Sequence, residues 1–383
     1  MLQRFYNVLF LSSSFLVSIF LGKANRGNVA PQVVLIGQLA KLGDMVCTTP
    51  MFRAVKKKYP KCRLIVVGLS GNEELLRGNS DVDEYLAYTG NPFSLLKRIR
   101  KSECDFACIA TPNFVFLALL YLSGIPLIAV PTIVNGFSPY ETRSYKLLRN
   151  LVATAPHSMG SYASREYLRL LELIGITDRD TTKHLVFSRQ ASERIDTFLG
   201  TIEVLKNDFV VGITPGAGNK LKQWPPERFA RLSDYLIQQY NARIIIIGSR
   251  GDMEEGKEML SFLKNKDGVT DTVGNFSIDE LKALVSKLSL FIGVDTGPIY
   301  IAEAFGVPTI DIIGPMDEHE QPPRGRLNEI VVAERLQPVM HIMNARQLDE
   351  VEARRQVEAI TVEMVTKAVD RVLSQLNFNQ ERV

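Results

Sequence analysis

The feature that most restricts how this chain can fold is a pattern that occurs twice. Short β-branched runs are separated by amphipathic stretches long enough to form a helix. Strands that are apolar on both faces must be covered on both, and a parallel sheet with crossover helices does that. The first series begins at Pro31, with strands expected at Gln32–Gly37, Arg63–Val67 and Phe106–Ala110. A helix covers Thr49–Lys58, with Pro60 just past its end. The second begins at Phe209–Thr214 and continues through Arg243–Ile247, Leu290–Val294 and Thr309–Ile313. Its helices fall at Pro226–Gln239, Met253–Leu263 and Ile278–Lys287, the last opened by a Ser277/Glu280 capping box. Two such series predict two doubly wound α/β lobes facing across a cleft, with ligands bound where the strands end.

The remaining stretches are less regular. Phe114–Val130 is apolar enough to suggest a membrane span, but Gly124 and Pro126 split it into a short helix and a strand. Asn135–Met159 is polar and shows no strong period before Tyr145. A helix is expected over Ser164–Leu173, ending near Gly175, and another near Ala191–Leu199 in the weakly patterned stretch Thr177–Lys206. Leu348–Glu358 and Val362–Leu376 read as terminal helices. Near the start, Val8–Leu21 is an apolar run shorter than a spanning helix needs. It is open to three readings: a membrane-associating helix, a cleaved signal, or a tail packed on the protein.

Charge and cysteine content exclude several functions. The 45 Lys and Arg against 42 Asp and Glu leave a formal net charge of +3, which gives no reason to expect a nucleic-acid partner. The four cysteines, Cys47, Cys62, Cys104 and Cys108, have no C-x-x-C spacing and no nearby histidine. They read as small buried residues, not as a metal site or redox dithiol.

Three strand-to-helix loops carry the residues that can do chemistry. In Gly37–Pro50 (GQLAKLGDMVCTTP), Asp44 sits near a helix start, where it can act as an N-cap or as a general base toward a hydroxyl. In Thr214–Phe229 (TPGAGNKLKQWPPERF), Gly216 and Gly218 allow close backbone approach to a ligand, Lys220 and Lys222 bring positive charge, and Pro226 suits the first helical position. The spacing is not that of a Walker loop. In Val294–Ala304 (VDTGPIYIAEA), Thr296 or Gly297 can cap a helix whose first residue is Pro298, leaving N–H groups for an anion. Asp295 would repel a phosphate, so its expected partner is a hydroxyl, a lysine or the loop backbone. Glu303 is expected on an exposed helix face.

Taken in order, LAKLGDMVCTTPMFRAVKKKYP, TPGAGNKLKQWPPERFARL and VGNFSIDELKALVSKLSLFIGVDTGPIYIAEAFGVPTIDIIGP resemble the ADP-heptose:lipopolysaccharide heptosyltransferases, glycosyltransferase family 9. The resemblance spans roughly Val33 to Pro323. It implies a GT-B fold and an inverting, metal-independent transfer with no cofactor. A nucleotide-diphosphate sugar, ADP-heptose-like, would be co-substrate. The implied organisation is an apolar segment at 1–30, an acceptor-binding lobe at 31–200, a nucleotide-sugar lobe at 201–345 and C-terminal helices at 346–383.

Carried over by position, the resemblance makes Asp44 the catalytic base and Lys222 the lysine that meets the donor diphosphate. Ala217 and Gly218 match the adjoining phosphate loop, and Asp295, Thr296, Gly297 and Pro298 match a second phosphate-binding turn. Phe276 matches a residue that packs on the nucleobase, and Asp252 and Glu254 are candidates for the ribose hydroxyls. The implied partners are a nucleotide sugar, a glycan or glycolipid acceptor and the cytoplasmic face of the inner membrane.

Two departures stand out: Gln38 where the family usually has arginine, with Lys41 nearby to restore the charge, and Tyr300 in place of a common histidine. They leave two alternatives open, a catalytically silent nucleotide-binding protein and a sugar-nucleotide epimerase of the same fold.

Overall fold

Both apolar series form all-parallel sheets. In the first, β1 (Val33–Gln38), β2 (Arg63–Leu69), β3 (Glu84–Tyr88), β4 (Phe106–Ile109), β5 (Leu127–Val134) and β6 (Ala153–Ser158) are ordered β3-β2-β1-β4-β5-β6. In the second, β7 (Val210–Thr214), β8 (Arg243–Ile246), β9 (Val269–Asp271), β10 (Leu290–Val294), β11 (Thr309–Ile312) and β12 (Asn328–Val331) are ordered β9-β8-β7-β10-β11-β12. Each order is the 3-2-1-4-5-6 of a doubly wound sheet, in which the chain reverses direction between its first and fourth strands. The computed structural model describes residues 10–14, 30–344 and 349–376. The chain divides into two units between His184 and Leu185.

Burial explains which strands the sequence announces. Residues 34–38 of β1 are buried, as is all of β7 and β10. In the second unit Val211, Ile213, Ile244, Ile246, Ile292 and Ile310 pack against the helix Pro226–Tyr240 and the terminal helix Val362–Gln375. Trp224 is fully buried in this core; its ring meets Phe229 edge-on, and its Nε1 donates to the Ile360 carbonyl at 2.9 Å. In the first unit, Leu35, Ile65, Val67, Ala107 and Ile109 pack against the helices Pro92–Lys101, Phe114–Leu122 and Arg143–Arg149.

Several sequence expectations hold. Phe114–Val130 divides into a helix and β5, and no described helix is long and apolar enough to cross a membrane. All four cysteines are buried. The Ser277/Glu280 capping box is formed, with Ser277 N donating to Glu280 Oε2 at 2.9 Å and Glu280 N to Ser277 Oγ at 3.3 Å. Others need correction. The polar stretch from Asn135 contains β6, an edge strand that tolerates Pro156 because only one of its sides is paired. The helix expected over Ser164–Leu173 is α-helical only over Ala163–Leu168 and tightens into a 3-10 helix over Arg169–Ile174. The apolar run Val8–Leu21 lies outside the described residues except for 10–14, which are helical, with Phe10 buried in the first core.

Candidate active site

The three loops read from the sequence all leave the sheets at their switch points. The first follows β1, and the second and third follow the neighbouring strands β7 and β10. At such a point adjacent loops diverge and leave a crevice at the strand ends.

After β1, the helix Leu42–Lys58 is capped by the backbone of Lys41, so Asp44 is not the N-cap but the third residue of the first turn. Its carboxylate lies at the positive end of the helix dipole, and its carbonyl accepts from Thr48 Oγ1 at 2.7 Å. Gln38 is buried, and its side chain is engaged at both ends. Its Nε2 donates to Thr48 Oγ1 (3.2 Å), while its Oε1 accepts from Ala40 N (3.3 Å) and Thr111 Oγ1 (3.0 Å). A neutral amide thus ties the ends of β1 and β4 together where a guanidinium would need an anion.

After β7, Pro215 to Gly218 lead into a 3-10 turn, Lys220–Lys222, capped by Asn219. Ala217 is buried and Gly218 is exposed. Gly216 must be glycine for a local reason: a Cβ there would collide with the Asp252 carboxylate. That carboxylate also closes a capping box, accepting from Ser249 N at 2.7 Å and Ser249 Oγ at 2.6 Å. Asp252 therefore abuts the second loop, whereas Glu254 is exposed on the first turn of the helix Met253–Phe262. Glu255, which the sequence reading did not select, is buried. It accepts from Gln223 Nε2 (2.9 Å) and lies 3.6 Å from Lys220 Nζ. Burial pushes its carboxyl up, but hydrogen bonds from its backbone and Gln223, with the Lys220 charge, hold it below the usual range.

After β10, Thr296 is the N-cap and Gly297 the first helical residue, so Pro298 is the second and not the first. The third loop closes onto the second through Lys222, whose ammonium donates to the Asp295 carboxylate at 2.6 Å and the Asp295 carbonyl at 2.8 Å. Tyr300 OH donates to the other carboxylate oxygen of Asp295. Asp295 thus gains both a lysine and a hydroxyl as partners. Glu303 is half-buried and accepts from Arg324 N at 3.1 Å, so it holds a neighbouring loop and is not simply solvated. Phe276 meets Phe198 edge-on at 5.1 Å. With Arg194, Thr197 and Asn275 the two rings line an open pocket of about 560 Å³, within the size range of small-molecule sites.

Beneath the third loop lies a residue that the sequence reading passed over. Asp311, on β11, pairs in register with Gly293 of β10, which pairs with Thr214 of β7. Asp311 and Thr214 are buried, and neither Asp311 oxygen nor Thr214 Oγ1 has a hydrogen-bond partner among the described residues. Burial, and then the Asp295 charge, push the Asp311 carboxyl well above the usual range; Lys222 opposes this and Glu303 adds to it. Its surroundings therefore disfavour the ionised form at the floor of the site. The available signal was one carboxylate in the otherwise apolar strand TIDII.

Comparison with known proteins places this geometry in a family context. Residues 93–348 match the profile of glycosyltransferase family 9 (heptosyltransferase). Lipopolysaccharide heptosyltransferase 3 of Escherichia coli (strain K12) is 24% identical over 286 residues, covering 72% of this chain and 80% of that protein. The glycosyl transferase family 9 structure from Veillonella parvula DSM 2008 superposes with a TM-score of 0.73 at 19% identity, covering 90% of this chain and 98% of that one. For the E. coli ADP-heptose LPS heptosyltransferase II the TM-score is 0.71 at 18% identity, with 90% and 99% covered. These likenesses establish the GT-B fold class.

Proposed function

The chain belongs to glycosyltransferase family 9, and from that premise we propose that it moves a heptose or related sugar from an ADP-heptose-like donor to a hydroxyl of a cell-envelope glycan or glycolipid of the lipopolysaccharide-core kind. The transfer is inverting and draws its charge stabilisation from protein groups, without a metal. The observation that carries this reading is the junction of Lys222 with Asp295 at the β7/β10 switch point.

An ammonium can donate three hydrogen bonds, and Asp295 accepts two of them here, which leaves one N–H for a phosphate oxygen. The first turn of the helix Gly297–Ala304, the positive end of its dipole, stands directly after Asp295. As the glycosidic bond breaks, charge grows on the departing diphosphate, and fixed donors of this kind stabilise it best when no reorganisation is needed. Asp295 orients Lys222, and Tyr300 takes part of the Asp295 charge.

Ala217 and Gly218 bring loop backbone to the phosphates. Asp252 lies beside that loop for the ribose, with Glu254 the more exposed candidate, and Phe276 packs on the base. Asp44 takes the proton from the acceptor hydroxyl as it attacks the anomeric carbon from the face opposite the leaving group. Such an acceptor is met at the cytoplasmic face of the inner membrane.

The test is release of ADP from ADP-heptose in the presence of a lipopolysaccharide-core acceptor. Asp44→Asn should abolish turnover while the donor still binds in calorimetry. Donor binding lost along with turnover would make Asp44 structural and remove it from the mechanism.

A further inference from the structure

The face of the first unit formed by the helices Pro92–Lys101 and Arg143–Arg149 has a composition that packing does not explain. Both pack against the helix Phe114–Leu122, which carries no charge, and the three share one core with Leu95, Ile99, Leu117, Leu120, Tyr145 and Leu148. The two outer helices contain seven cations and no acid, in a chain whose overall charge is nearly balanced. Arg149 pairs with Glu141, and Arg100 donates to the Leu122 carbonyl at 2.9 Å. Lys97, Arg98, Lys101, Arg143 and Lys146 are exposed.

Large hydrophobic side chains are exposed on the same stripes. Leu147 and Leu151 are 51% and 40% exposed, and with Arg143 and Lys146 they occupy positions i, i+3, i+4 and i+8. Arg143, Lys146 and Leu147 form one helical stripe, opposite the buried Tyr145 and Leu148, and Leu151 follows just past the helix end. Phe93, 50% exposed, occupies a stripe with Lys97 and Lys101. Its ring also touches Phe10, at 5.8 Å, at the described edge of the apolar amino-terminal run. A face made only to be solvated would place acids among the lysines and keep leucine and phenylalanine inside. A stripe of cations flanking large apolar side chains instead matches the interface of an anionic bilayer, where the cations meet headgroups and the apolar groups enter the acyl boundary.

We propose that this face docks the protein on an anionic lipid membrane. It deepens the reading above by naming the surface that brings a lipid-linked acceptor within reach. It rests on that reading only for its purpose, because the binding test contains no sugar nucleotide.

The test is co-sedimentation of the full chain with vesicles of phosphatidylcholine containing phosphatidylglycerol, against vesicles of phosphatidylcholine alone. Wild type should bind the anionic vesicles, release at high salt and bind the neutral ones weakly. A cation near an anionic surface contributes about fivefold to partitioning, so Arg143→Gln with Lys146→Gln should weaken binding about thirtyfold. Leu147→Ser with Leu151→Ser should weaken it about tenfold. These side chains are exposed, so circular dichroism should show both variants folded. Lys257→Gln with Lys264→Gln, exposed in the second unit, is the charge-matched control and should bind as wild type.

The proposal is overturned if wild type does not bind anionic vesicles, if it binds neutral ones equally well, if either first-unit variant binds undiminished, or if the control loses as much. ADP release with a water-soluble acceptor fragment should be the same in all variants, which separates failure to dock from failure to transfer.

Discussion

Replacing Asp311 by asparagine should make the protein's stability less sensitive to rising pH, and the size of the effect follows from its surroundings. The side chain is fully buried, its oxygens have no described partner, and Asp295 stands near enough to add repulsion. In the unfolded chain the carboxyl titrates at its ordinary value of 3.8, whereas in the folded protein it titrates well above that. A group whose folded pKa is raised in this way binds more protons when native than when unfolded. Stability therefore falls as pH rises above 3.8, for as long as the folded carboxyl stays protonated. For one proton the slope is at most about 1.4 kcal/mol per pH unit, so above about pH 4 wild type should lose stability with rising pH that an asparagine at the same place does not lose.

Other titrating groups are common to both proteins and cancel in the difference. Urea unfolding followed by circular dichroism at several pH values measures it directly, using midpoints at unchanged m-value. Two parallel lines, with a gap independent of pH, would refute the upward shift of the buried Asp311 carboxyl.

Other substitutions follow from the same geometry. Lys222→Met leaves the Asp295 carboxylate buried without its cation, and removing one partner of a buried pair costs on the order of 3 kcal/mol. Calorimetry should show lost ADP affinity as well as a lowered melting temperature, and adding Asp295→Asn should recover stability but not affinity. Gly216→Ala drives a Cβ into the Asp252 carboxylate and should cost about 1–3 kcal/mol and weaken donor binding, measured by thermal shift with and without ADP.

His341 gives a second pH dependence. Its Nδ1 lies 3.2 Å from both Asp317 and Glu320, and the hydrogen bond to Asp317, then that to Glu320, raise its pKa to about 9. Its stabilisation is complete below pH 6.5 and is lost as pH rises through about 9, so His341→Gln should flatten the stability profile between those limits by about 2–3 kcal/mol. Asp317, which also faces His319, opposes burial with these hydrogen bonds and falls to about 2, so its own contribution fails only in strong acid.

The sequence discloses those parts of the fold whose cause is local. β1, β7 and β10 are legible because strands buried on both faces must be apolar throughout. The three strand-to-helix loops are legible because glycine, proline and aspartate mark such turns. The strands β3, β9 and β12 are short and half-exposed, so Glu84, Asp271 and Asn328 sit in them without breaking any rule and no period betrays them. The contact between Lys222 and Asp295 joins residues 73 positions apart, and it exists because β7 and β10 are neighbours, a matter of topology. Asp311 was visible as a letter. Its meaning required knowing that Gly293 and Thr214 stand beside it. For the cap at Lys41 the side chain misled: Asp44 has the chemistry of an N-cap, but the helix begins two residues earlier.

The single tryptophan has a practical consequence. Trp224 lies wholly in the core of the second unit, with its indole N–H bonded to a carbonyl beside the terminal helix. Its intrinsic fluorescence is therefore a reporter for that half of the molecule alone. A shift in its emission maximum times the release of the carboxy-terminal helix from the second sheet, and the other half can melt earlier or later without changing that signal.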